Sequence, residues 1–169
     1  LSTLESEAAD VIADTADGNP TIAVEATLET IENGLGSLRG VQGRELIRDR
    51  LKGALQELED NHGKTSLDIL VMLAGTRGVD TERSLAELLD IGERKIKMVL
   101  NNNLSSYVQK DADGKLVISP HIYAVTIFEL TWFTKAGEEW LLSDRGEKFT
   151  EKIHSSNQWN LVGLITNLS

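Results

Sequence analysis

Between residues 84 and 118 the hydrophobic period changes, and this change limits the possible folds more than any other feature of the chain. The stretch "SLAELLDIGERKIKMVLNNN" (84–103) spaces its apolar residues three and four apart in two short runs, as two amphipathic helices meeting at a turn would. "YVQKDADGKLVIS" (107–119) then alternates, with Asp113 and Gly114 suited to the left-handed turn of a hairpin. A helix pair followed at once by a hairpin leaves few packings open, because the short connection holds the hairpin beside the second helix.

The pair makes definite demands on its inner side. Ala86 is small enough for the second helix to cross the first closely, and Leu85 and Leu89 flank it. Ile91, five residues on, closes the turn against the core, and Ile96 and Val99 continue the buried stripe at i and i+3. The second helix is expected from Glu93 to about Ser106, with Glu93, Arg94, Lys97, Met98 and Asn101 outward. Arg, Lys and Asn are the side chains that reach base edges and phosphates in a major groove.

Elsewhere the period is mostly helical. Leu1, Leu4, Ala8, Val11 and Ile12 form one stripe, ended by "DGNP". A second helix is expected near Pro20, with Ile22, Ala26, Leu28, Ile31 and Leu35 as its stripe. "ENGLGSLRGVQG" reads as a loop or broken helix, and Arg44 to Asp60 as a third helix with Ile47, Leu51, Ala54, Leu55 and Leu58 on one side. Thr65 or Ser66 is the expected cap of a helix over Leu67 to Ala74. Beyond the hairpin, "HIYAVTIFELTWF" reads as β-rich. "TKAGEEWLLSDRGEKFTEKIH" reads as helix anchored by Trp140, Leu141 and Phe149, and the apolar tail "NQWNLVGLITNLS" suits docking or association. The expected fold is mostly α with a small antiparallel β-sheet. Its expected parts are an N-terminal helical region (1–62), a central domain (63–142), and a C-terminal helix and tail (143–169).

Charge narrows the partners. The net charge is −10, but residues 61–110 carry 7 bases against 6 acids, whereas residues 1–60 carry 13 acids against 5 bases. A polyanion would therefore be met by the middle third. A second basic run, "RGVQGRELIRDRLK", holds Arg39, Arg44, Arg48, Arg50 and Lys52. Arg44, Arg48 and Lys52 share one helix face. Ion pairing with Glu45, Asp49 and the acidic first helices is the favoured reading, and an auxiliary phosphate-contacting face is the other.

Several chemistries find no support. The chain has no cysteine, which removes disulfides and thiolate sites and suits a reducing cytoplasm. The longest apolar run, "LDILVMLAG", is too short to span a bilayer. The start is acidic, unlike a secretory signal, and a first residue other than Met is expected of an excised or processed chain. "DADG" resembles the opening of a calcium loop, yet eleven residues beyond Asp111 stands Ile122 where a bidentate carboxylate is needed. "GLGSLRGVQG" lacks the Gly-Lys-Ser/Thr of a phosphate cradle, and His62, His121 and His154 are not at metal-ligand spacing. No catalytic signature is present, so neither enzyme activity nor a cofactor is expected.

On these residues the chain resembles a family. Residues 65–142 look like a winged helix-turn-helix domain of the class found in bacterial and archaeal regulators such as the MarR and PadR groups. The resemblance rests on Leu85, Ala86, Leu89, Ile91, Ile96 and Val99, on the hairpin placed as a wing, and on "FELTWFTKAGEEWL" as the strand-to-helix phrase after it. Asp90 stands where the family often has glycine, and Asp111 and Asp113 make the hairpin tip acidic. The resemblance implies a regulator that binds double-stranded DNA, its second helix in the major groove. Base contacts would fall to Arg94, Lys95, Lys97 and Asn101, and backbone contacts to Ser84, Lys110 and Lys115. It also implies a homodimer, or docking to another protein, through the N-terminal helices. The rival expectation is a winged-helix module that binds another protein and does not read DNA.

Overall fold

The computed structural model describes residues 3–156, so the apolar tail at 157–169 lies outside the described residues. The chain is mostly helical, with two small antiparallel two-stranded sheets among the described residues. It divides into two compact units between Gly53 and Ala54, inside a helix.

The first unit holds α1 (Thr3–Ala16), α2 (Pro20–Asn33), a 3-10 turn (Leu35–Leu38) and the first half of α3 (Gly43–His62). Asn19 starts α2: its Oδ1 accepts from the Thr21 and Ile22 amides at 2.9 and 3.3 Å, and Pro20 follows where no amide is needed. Ala26, Leu38 and Leu46 form the core with Val11, Ile12 and Val41 against them. The expected α2 stripe is only half used. Ile22 and Ala26 are buried, whereas Leu28 is 40% and Ile31 75% exposed. Arg50 takes over the adjoining face, pairing with Glu25, with Glu29 at 3.1 Å and with Glu32 at 2.9 Å. Arg39 pairs with Glu7 at 3.2 Å. The favoured ion-pairing reading of the basic run therefore holds for Arg39 and Arg50.

The second unit is built on α4 (Lys64–Thr76), which is buried along most of its length from Ser66 onward. Neither Thr65 nor Ser66 caps it. Gly63, at φ 81°, makes the break from α3 by itself, and Ser66 lies fully buried inside the helix. Around α4 pack α5 (Glu82–Leu89), α6 (Glu93–Asn103), the β1–β2 hairpin (Val108–Lys110, Leu116–Ile118) and α7 (His121–Trp132). Next come the β3–β4 hairpin (Phe133–Ala136, Glu139–Leu142) and α8 (Asp144–Ser155). Arg145 of α8 bridges Glu59 and Asp68, each at 3.6 Å.

Two expectations fail here. "HIYAVTIFELTW" is helix rather than strand. Its β-branched and aromatic residues favour strands only weakly, and burial of Thr126, Ile127 and Trp132 overrides that preference. Thr126 and Thr131 also return their hydroxyls to the carbonyls of Ile122 and Ile127, satisfying them within the helix. The phrase "FELTWFTKAGEEWL" is consequently helix-to-hairpin, not strand-to-helix. Trp140 and Leu141 lie on β4, 53% and 49% exposed, and are therefore not buried anchors. The anchors are Phe149 and Trp132, the latter donating its indole N–H to the Val71 carbonyl at 2.8 Å.

The β1–β2 hairpin forms as its sequence predicts, with Val108 opposite Ile118 and Lys110 opposite Leu116. The Asp111 carboxylate closes the tip by accepting from the Asp113 and Lys115 amides, both at 2.9 Å. Val79, in the loop after α4, pairs with Leu116 through two main-chain hydrogen bonds of 3.0 and 2.8 Å. That bridge fastens the hairpin to the segment entering α5.

Candidate nucleic-acid interface

α5 begins at Thr81, whose Oγ1 accepts from the Ser84 amide at 3.1 Å, and ends at Asp90 in the left-handed region (φ 55°). The Ile91 amide then donates to the Ala86 carbonyl at 3.0 Å, fixing the turn. Gly92 precedes α6 as its N-terminal flank, outside the helix, with φ −62° and no side-chain cap. Leu85, Ala86 and Leu89 of α5 and Ile96, Val99 and Leu100 of α6 are buried, so the inner stripe falls where the spacing placed it. α6 stops at Asn103, short of Ser106, because Leu104 turns into the core.

The outer side of α6 carries Arg94, Lys95, Lys97, Met98 and Asn101, all exposed. Arg94, Met98 and Asn101, at i, i+4 and i+7, run down its middle. Arg94 and Lys95 form no ion pair with any described residue, although the chain is rich in acids. Lys97 instead pairs with Glu93 at 2.8 Å. The hydrogen bond from Lys97 holds the Glu93 carboxyl below its usual range, and the same bond raises the Lys97 ammonium.

The hairpin cations are placed differently. Lys110 lies 3.6 Å from Glu82, and Lys115 lies 3.8 Å from Asp80, so both face acids at the entry to α5. Ser84 is half-buried, its hydroxyl 3.1 Å from that of Thr81. Glu82 and Asp80 had no visible link to the hairpin in sequence, being some thirty residues away; the Val79–Leu116 bridge brings them there. Arg44, Arg48 and Lys52 belong to the first unit, with Arg44 and Lys52 exposed and Arg48 half-buried. Among the described residues no cluster of His, Cys, Asp or Glu could hold a metal ion, and no helix is long and apolar enough to cross a membrane.

Comparison with protein-family models, with curated proteins and with solved structures returns no match. The interface must be judged on its own geometry.

Proposed function

We propose that α4, α5, α6 and the β1–β2 hairpin form a winged helix-turn-helix that binds double-stranded DNA, with α6 in the major groove, and that the protein is a non-enzymatic, cytoplasmic transcriptional regulator. One observation carries this reading: Arg94 and Lys95 stand exposed and unpaired with any described residue on a helix whose inner face is fully packed. A guanidinium, an ammonium and the Asn101 amide on one convex ridge supply the donors that phosphates and base edges accept. The Val79–Leu116 bridge supports the wing, since it holds the hairpin at a set distance from the helix pair. Lys97 would exchange Glu93 for a phosphate. Lys110 and Lys115, each facing an acid, would contribute least.

The test is fluorescence anisotropy with random duplex DNA over a salt series. Each phosphate neutralised contributes a slope of about −0.9 in log K against log salt. Arg94→Ala with Lys95→Ala should flatten the slope by about 2 on that scale and weaken binding at least tenfold. Absence of binding at low salt would reject the reading.

The rival reading, a winged-helix module docking another protein, draws on Met98, an apolar side chain 55% exposed at the centre of the same ridge. For the N-terminal helices we propose self-association of two copies along Val24, Leu28 and Ile31, exposed at i, i+4 and i+7 of α2. Ile31→Glu should then convert a dimer to a monomer in sedimentation.

A further inference from the structure

We propose that the cleft between the end of α4, the β1–β2 hairpin and the start of α7 is a binding site for a small anion carrying an apolar body. The cleft encloses about 280 Å³, near the lower end of ordinary ligand pockets, so its occupant is small. Leu73, Val117, Ile118 and Ala124 give it apolar walls. Arg77, Gln109, Ser119 and His121 supply the polar groups, and no carboxylate lines it, in a chain whose net charge is −10. The side chains of these four polar residues make no hydrogen bond or ion pair with any described residue.

Two further observations agree on the sign of the ligand, and a third fixes the segment that carries the cation. Arg77 holds a left-handed backbone (φ 54°) that glycine adopts more readily, yet the chain spends that position on a cation at the cleft wall. α7 begins at His121 with no side-chain cap and no acid in its first turn, which leaves amide donors at the cleft's edge. Gly78 and Val79 pin the same loop against Leu116 and Val117, so the guanidinium is carried on a braced segment. Polar donors and a cation among apolar walls fit a carboxylate or a phosphate ester on a short hydrocarbon.

The site does not depend on DNA reading by α6, and its test reads the cleft directly. The full chain is titrated with hexanoate, hexyl phosphate and hexanol, following NMR shifts of residues 77, 109, 119, 121 and 124. Either anion should shift these signals saturably, with hexanol at least tenfold weaker. Tighter binding of hexanoate assigns a carboxylate ligand, and tighter binding of hexyl phosphate a phosphate ester. Arg77→Gly suits the left-handed backbone and should weaken the anions at least tenfold while leaving hexanol unchanged. Ala124→Leu should fill the cleft and abolish all three. Absence of saturable shifts with either anion, equal binding of hexanol, or anion binding unaltered by Arg77→Gly would overturn the proposal.

Discussion

The side-chain amide of Asn103 donates to the Ser66 hydroxyl at 3.2 Å, joining the last residue of α6 to the first turn of α4. Ser66 is fully buried and passes its own proton towards the His62 carbonyl at 3.5 Å. With the Ile91–Ala86 bond at its other end, α6 is held at both termini, so its outer ridge is presented rigidly. Asn103→Ala should cost about 1 kcal/mol in urea unfolding, as a single hydrogen bond does. Ser66→Ala with Asn103→Ala should cost less than the two singles summed. Strict additivity would show that the bond contributes nothing.

Gly75 is constrained by its neighbour. A Cβ there would lie 2.0 Å from Cζ2 of Trp132, whose ring is buried and fixed by the Val71 carbonyl. Gly75→Ala should therefore destabilise by about 2–3 kcal/mol through overpacking. In a Trp132→Phe background the same change should cost less, measured by thermal unfolding, because the smaller ring clears the site.

Hairpin and helix cations should separate in DNA binding. Lys110 and Lys115 already face Glu82 and Asp80, so replacing both with Ala removes charge that is largely answered within the protein. Their joint loss should change affinity less than that of Arg94 and Lys95 in the same anisotropy assay. The reverse order would move the interface from α6 to the hairpin.

Asp68 links pH to stability. Burial, with a smaller push from the Glu59 carboxylate, raises its carboxyl above the usual range against the pull of Arg145, Lys64 and Lys148. The native state then binds the proton more tightly than the unfolded chain. This group's contribution is best at acid pH and declines as pH rises through the interval between unfolded and folded values. Asp68→Asn, which keeps the shape and removes the charge, should be at least as stable as the parent at pH 7. That advantage should shrink as the pH falls through the carboxyl range. A variant weakened at pH 7 and restored in acid would show that the Arg145 pair dominates.

Much of the fold could be read from short-range pattern. α5 and α6 were legible because their apolar residues fall strictly on one side, and the solvent-facing remainder is polar enough to make the period unambiguous. The β1–β2 hairpin was legible because Asp113–Gly114 has few other uses. α7 was not legible, since a run apolar on nearly every side has no period to distinguish helix from strand. Trp140 and Leu141 misled for a related reason: an apolar side chain is not obliged to be buried.

The candidate sites divide the same way. Sequence alone determined the inner stripe of the helix pair, the hairpin turn and which α6 residues face outward, because each depends on neighbours within one or two turns. Tertiary structure decided which cations meet an acid and which do not. Whether Lys110 meets Glu82, or Arg77 meets Ser119 and His121 around a cleft, depends on the Val79–Leu116 bridge and on α7 folding as a helix against α4. Such contacts join residues tens of positions apart, and no local period encodes them.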